Sequence, residues 1–215
     1  MPSVELRNPT PGSVKGMAAT EAGTDGVTRC SWGNGSAEYA TYHDDEWGRP
    51  VGDGRRLFEK LCLEGFQSGL AWITILRKRD AFRDVFAGFD IERVAQFDES
   101  DVGRLLGDAR IVRHEGKIRS TINNAQRSRE VIADAGSPGA LVWSFEPTPA
   151  PPAMVATTPE SVALAKELKR RGFTFVGPTT AYAFMQSMGL VNDHAEACAV
   201  REAVETDRAR FVRPK

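Results

Sequence analysis

From residue 53 onward, apolar residues recur at intervals of three and four, the period of one buried face of an α-helix. Behind Asp53, a residue type that caps helix amino termini, Leu57, Phe58, Leu61 and Cys62 form such a face, and Gly65 stands where that helix would end. Short helices are predicted over Asp80–Phe86, over Ile91–Phe97 behind Asp90, and over Asp101–Leu106, each opened near an acidic residue suited to the positive end of the helix dipole. A longer helix is predicted from about Glu115 to Ala135, with Ile118, Ile122, Ala125 and Ile132 turned inward and Gly136 as its stop. Thr158 and Pro159 open another, whose inner face carries Val162, Ala165 and Leu168. A turn over Gly172–Gly177 follows, then a helix from Thr179 to Met188 that stops at Gly189. Strand-type alternation is scarce, so the pattern predicts an all-α fold.

Three stretches fall outside that period. Residues 1–27 are rich in Pro, Gly, Ser and Thr and bury too little apolar surface to offset their ordering entropy, so a disordered arm is predicted there. Thr28–Gly54 is irregular but dense in aromatics, with Trp32, Tyr39, Tyr42 and Trp47 near Cys30 and His43, as loops that carry a site often are. The proline-rich stretch Glu146–Thr158 reads as a loop between two groups of helices. The expected organisation is one domain of two helical lobes over residues 28–200, followed by a charged tail over 201–215.

At 215 residues, 41% hydrophobic and 27% charged, the chain has the composition of an ordinary globular protein, and no apolar run approaches the roughly 20 residues that span a bilayer. Three cysteines are too few, and odd in number, for a disulfide framework. With no signal-peptide pattern at the amino terminus, a reduced cytoplasmic setting is expected. A net charge of -1 gives no bulk attraction to nucleic acid, so a polyanion would need a local surface. Lys166, Lys169, Arg170 and Arg171 cluster just before the Gly172–Gly177 turn, and the helix that follows Gly177 presents free amides suited to an anion.

Two sets of side chains carry candidate chemistry. In LCLEGFQSGLAWITI (Leu61–Ile75) the only side chain charged at neutral pH is Glu64, with Trp72 eight residues on. A carboxylate in an apolar run is costly to desolvate unless it is paired, protonated or used, although one at a helix end can simply face water. The second set is Cys30 with His43, and His194 with Cys198 four residues on, a spacing that puts the latter two on one helix face. These are either unrelated residues or, if they converge, a closed tetrahedral set of two thiolates and two imidazoles for a structural Zn2+. His114 stands outside both readings.

The stretches RCSWGNGSAEYATYHDDEWGRPVGDGRRLFEKLCLEGFQSGLAWITIL, RIVRHEGKI and LKRRGFTFVGPTTAYAFMQSMGLVNDH resemble the 3-methyladenine DNA glycosylase I family, a branch of the helix-hairpin-helix DNA glycosylases, from about Arg29 to Cys198. The resemblance implies an all-α helix-hairpin-helix fold in which a structural zinc on Cys30, His43, His194 and Cys198 joins the amino- and carboxyl-terminal segments. It also implies a pocket in which Glu64 is the acidic residue and Tyr42 and Trp72 bind and stack on an extruded base, with Trp32, Tyr39 and Trp47 as further walls. The turn carrying Gly172, Val176, Gly177 and Thr179 matches the DNA-backbone hairpin. Asp193 ranks below Glu64, with helix capping or support of the zinc ligands as its expected role. The implied partner is double-stranded DNA containing alkylated bases, acted on by a monomer. The implied reaction is hydrolysis of the N-glycosidic bond of 3-methyladenine to leave an abasic site. No lysine opens the helix after the hairpin, so a lyase step is not expected. The rival readings are a non-catalytic zinc-stabilised DNA-binding module and a zinc hydrolase using Glu64 as base.

Overall fold

The helical period is realised as eleven α-helices and one short strand pair among the described residues. In this computed structural model, which describes residues 19–150, 152 and 155–215, the chain opens with β1 (Thr20–Ala22), β2 (Thr28–Cys30) and α1 (Ala37–Asp45). The first helical group follows as α2 (Gly54–Gln67), α3 (Trp72–Leu76), α4 (Arg79–Val85), α5 (Ile91–Val94), α6 (Glu99–Gly107) and α7 (Glu115–Ala135). The second comprises α8 (Pro138–Trp143), α9 (Pro159–Arg170), α10 (Pro178–Ser187) and α11 (Arg201–Arg210). None of the described helices is long and apolar enough to cross a membrane.

Two apolar cores organise these elements. The first is largely aromatic, with Phe66 and Phe82 rings 4.6 Å apart and Phe58, Phe86 and Phe89 around them. The second collects Leu164, Leu168, Phe173, Phe184 and Met185 beneath α9 and α10. Helix α2 serves both: Phe58, Cys62, Leu63 and Phe66 enter the first, while Leu57 and Leu61 enter the second. Its start is fixed by Asp53, whose carboxylate accepts from the Arg56 amide at 2.9 Å. With both flanks packed, the positions left over, Lys60 and Glu64, lie one turn apart and are themselves buried.

Several expectations are corrected. Gly65 does not end α2, which runs on to Gln67; a Cβ there would sit 3.4 Å from Cβ of Phe175, so the glycine admits the approaching turn. On α7, Ile132 is 37% exposed and Val131 is buried instead, because this helix passes from the first core to the second and its buried face rotates on the way. On α9, Val162 is 46% exposed and Leu164 points inward; Ser161, buried for its capping role, breaks the apolar run and hides the phase. Helices α1, α3 and α8 were not anticipated.

The termini differ most from expectation. Residues 1–18 of the predicted arm lie outside the described residues, as do 151, 153 and 154 of the proline-rich loop. From residue 19 the chain is structured: β1 pairs antiparallel with β2, Glu21 opposite Arg29, and Arg29 is held by Asp25 and Asp44. The charged tail is the helix α11, which buries Val204 and Arg208. Arg208 donates to the carbonyls of Gly189 and Leu190 at 2.8 and 2.9 Å. A pattern search passes over such a helix because its buried face is mostly one long polar side chain.

Gly189 joins α10 to the segment that follows with φ +77°, and a Cβ there would meet Arg49 and Pro50 backbone atoms at 2.5 Å. Gly189→Ala is expected to lower stability by at least about 2 kcal/mol, or roughly 4–8 °C in Tm for a chain of this size; a melting curve that does not move would show that the backbone relaxes freely there.

Candidate active site and metal centre

Lys60 and Glu64 form a buried ion pair, Nζ to Oε1 2.8 Å, with each residue 6% exposed. The same ammonium donates to the Tyr42 hydroxyl at 2.9 Å and lies 3.3 Å from the centroid of the Trp72 ring. Tyr42 and Trp72 stand 5.4 Å apart, ring to ring. Glu64 is therefore not the lone charge its neighbourhood in sequence suggests: the ammonium offsets the desolvation of the carboxylate, and an electron-rich ring face completes its surroundings. Burial pushes the Lys60 ammonium below the usual lysine range, against the pull of Glu64. Burial, and then the charge of Glu64, pushes the Tyr42 phenol well above the usual tyrosine range.

Beyond Lys60 a cavity of about 40 Å³ opens outward, lined by Tyr42, Trp72, Glu46, Glu59, Arg79 and Met188 among others. Arg79 pairs with Glu46 at 2.6 Å and Arg83 with Glu59 at 2.8 Å at this mouth. The Trp72 indole N–H is buried without a protein acceptor. Tyr42 comes from α1, Lys60 and Glu64 from α2, and Trp72 opens α3, whose start is tied to α1 by the Ile73 amide donating to Tyr39 Oη at 3.0 Å.

The other aromatics stand further back. Trp32 packs on His43 with ring centroids 5.1 Å apart, and Trp47 on His194 at 4.7 Å. Tyr39 braces α3 and packs edge-on against Trp32 at 5.7 Å. Lys60 and the arginines at the mouth were not singled out in the sequence. The usable signal was the four-residue spacing of Lys60 and Glu64, which puts both charges on one helix face.

Cys30, His43, His194 and Cys198 converge: their ligand atoms all lie within 4.8 Å of one another, and all four residues are buried. The surroundings orient the lone pairs. His43 Nδ1 meets the Asp44 carboxylate at 2.8 Å, leaving Nε2 toward the Cys198 sulfur at 3.6 Å. His194 Nε2 donates to the Trp47 carbonyl at 3.1 Å, which leaves Nδ1 facing Cys198 and Cys30 at 3.5 and 3.9 Å. The Ala195 amide donates to the Cys30 sulfur at 3.3 Å. Hydrogen bonding from Cys30, with both histidines behind it, holds the Cys198 thiol far below the usual range. Two sulfurs and two imidazole nitrogens aimed at one point, each imidazole fixed from behind, can hold a metal ion.

The turn from α9 to α10 is clamped by α7. Asn124 takes the Thr174 amide at 2.9 Å and donates to its carbonyl at 3.0 Å, while Asn123 donates to the Gly172 carbonyl at 2.9 Å. Phe173 and Val176 insert into the second core. Gly172 has φ +85° and Phe175 φ +55°, whereas Gly177, although a glycine in a tight turn, has an ordinary φ of -69° and does not use that residue's extra conformational range. Gly177 precedes α10 with no side-chain cap, so the first amides after Pro178 are left for an outside acceptor; Thr179 is exposed. Lys166, Lys169 and Arg170 on α9 are exposed as well. Asp193 is held by α10, accepting from Tyr182 Oη at 2.5 Å and Gln186 Nε2 at 2.8 Å.

The family described as methyladenine glycosylase matches residues 32–202. The chain is 45% identical over 179 residues to DNA-3-methyladenine glycosylase 1 of Escherichia coli (strain K12), covering 80% of this chain and 96% of that protein. A crystal structure of a 3-methyladenine DNA glycosylase I superposes with a TM-score of 0.76 at 47% identity, over 80% of this chain and 98% of that one. The 3-methyladenine DNA glycosylase I of Staphylococcus aureus, whose structure addresses 3-methyladenine recognition, superposes with a TM-score of 0.77 at 33% identity, over 80% and 96% of the two chains.

For the cysteine and histidine cluster, Cys30→Ala is expected to lower bound metal and stability together, by about 3 kcal/mol or roughly 10 °C in Tm. Elemental analysis beside a melting curve checks it; an unchanged metal count removes Cys30 from the ligands.

Proposed function

Since the chain belongs to the methyladenine glycosylase family, we propose that its buried carboxylate and aromatic pocket receives 3-methyladenine from alkylated DNA and that the enzyme hydrolyses the N-glycosidic bond, leaving an abasic site. The observation that carries this reading is the convergence of Tyr42, Lys60 and the Trp72 face on one outward-opening cavity, with the Glu64 carboxylate directly behind the Lys60 ammonium. A base inside a duplex is out of reach of such a site, so the nucleotide is extruded at a cost of a few kcal/mol, least for a damaged base. Methylation at N3 makes the base a cation. Glu64 suits that charge and accepts hydrogen bonds from the base, Tyr42 bounds it, and Trp72 stacks on it with a cation-π contribution of about 0.5–2 kcal/mol. A cationic base is already a good leaving group, so the site needs to position it and stabilise the developing sugar cation rather than act as a strong acid. Unmodified adenine lacks the charge and is a poor substrate.

The α9–α10 hairpin is the proposed grip on the DNA backbone: the amides behind Gly177 and Pro178, with Thr179 and the cations of α9, suit phosphate oxygens irrespective of base sequence. Helix α10 begins Pro178, Thr179, Thr180, Ala181, with no lysine to form a Schiff base, and we read the enzyme as monofunctional. The donor set of Cys30, His43, His194 and Cys198 suits Zn2+, and four protein ligands leave no open position, so the ion would be structural. Three free thiols accord with a reducing cytoplasm, where the enzyme would act on double-stranded DNA as a monomer.

Two variants test this reading. Glu64→Gln is expected to reduce kcat/KM for release of 3-methyladenine from alkylated DNA by roughly 10–100-fold, the worth of one charge-assisted hydrogen bond, while duplex binding stays near wild type. Full excision activity in that variant would end the assignment. Gly177→Tyr, at a position with open space and ordinary φ, is expected to weaken binding of undamaged and lesion duplexes equally, by about tenfold; a gel-shift titration in which neither changes would take the hairpin off the phosphates.

A further inference from the structure

The Lys60 ammonium has every contact the proposed substrate cation would want. It is 2.8 Å from the Glu64 carboxylate, 2.9 Å from the Tyr42 hydroxyl and 3.3 Å from the centroid of Trp72. The ammonium covers the Trp72 face at less than the spacing of two stacked rings and occupies the near side of the Glu64 carboxylate, with the cavity opening outward beyond it. A base cannot therefore stack on Trp72 and reach Glu64 while Lys60 stays where it is.

We propose that Lys60 is a resident cation that fills the base seat and must be exchanged for the incoming base, so that it acts as a specificity-determining residue for positively charged bases. This rests on the reading of Glu64, Tyr42 and Trp72 as the base pocket. The exchange is charge for charge. A methylated, cationic base restores to Glu64 and Trp72 what the departing ammonium takes away. A neutral purine does not: it separates a buried ion pair and leaves the carboxylate uncompensated, the most unfavourable outcome for a charge out of water. The ammonium has somewhere to go, because the cavity it would swing into is bounded by the carboxylates of Glu46 and Glu59, each already held by one arginine. A lysine's flexible four-carbon stem permits that movement without a shift of α2. Selectivity thus comes partly from what the pocket contains before the base arrives, and not only from its shape.

The test compares wild type with Lys60→Ala, Lys60→Met and Lys60→Arg, using adenine as the neutral probe, titrated by tryptophan fluorescence. Adenine is expected to bind Lys60→Ala and Lys60→Met about tenfold more tightly than wild type, the worth of the lost cation-π contact and ion pair that it no longer has to displace. Lys60→Arg, which keeps the charge, is expected to show no gain. Adenine affinity unchanged in both neutral variants would overturn the proposal. Should removal of the ammonium beside Glu64 prevent folding, a crystal structure of the wild type with 3-methyladenine, grown at a pH low enough to keep that free base protonated and cationic, decides instead. Lys60 Nζ is expected to leave the Trp72 face, whereas a base stacked on Trp72 with Nζ still within roughly 6 Å of the ring centroid would refute the exchange. Release of 3-methyladenine from alkylated DNA by wild type is the separate control: its absence would remove the functional reading, and its presence with unaltered adenine binding would remove the Lys60 proposal alone.

Discussion

A carboxylate and an ammonium buried on one helix between two apolar cores constrain the rest of this molecule. Helix α2 is packed on both flanks, by the phenylalanine cluster on one side and by the core beneath α9 and α10 on the other. Lys60 and Glu64 occupy the narrow strip that neither core takes. Desolvating two charges is offset only when they meet in good geometry and find further partners. Here those partners come from α1, as the Tyr42 hydroxyl, and from α3, as the Trp72 ring. Both elements are short, and the bond from the Ile73 amide to Tyr39 joins them, so the pocket depends on local supports that are individually small.

The cysteine and histidine cluster anchors the same region from behind. Cys30 and Cys198 lie far apart in the chain, and a metal ion held by both would close a loop around nearly the whole domain, the case in which a cross-link constrains the unfolded chain most. Trp47 and Trp32 pack edge-on against the histidines, and His43 lies one residue beyond Tyr42 on α1. A disturbance of the cluster would thus be felt at the pocket through a single helical turn.

Much of this was readable from the chain. The helix caps at Asp53, Asp90 and Thr158, and α7 with its stop at Gly136, follow from local chemistry that tertiary context did not override, whereas the four cysteine and histidine residues were set together only by the family resemblance, spacing alone leaving their convergence open. What escaped has physical causes. Lys60 was missed because the apolar run that drew attention to Glu64 begins one residue later, and a charged residue at its border reads as solvated. The phases of α7 and α9 were misjudged at Ile132 and Val162, where a change of packing partner and an inward serine broke the period. Helix α1 was hidden because its aromatics serve the pocket and the cluster rather than a stripe. Asn124, which clamps the hairpin turn, carries no sequence signal at all, since only the fold brings Thr174 to it.

Gly65 follows Glu64 directly, and its missing side chain lets Phe175 of the hairpin turn approach to contact distance. Asn124 fastens the same turn to α7. On the proposed function, the grip on the backbone and the carboxylate that meets the base are therefore mounted on one rigid frame, like the two jaws of a caliper with its screw tightened. The span between them does not adjust to the nucleotide. The DNA has to supply the whole displacement, and a lesion that loosens its own stacking covers that distance most readily.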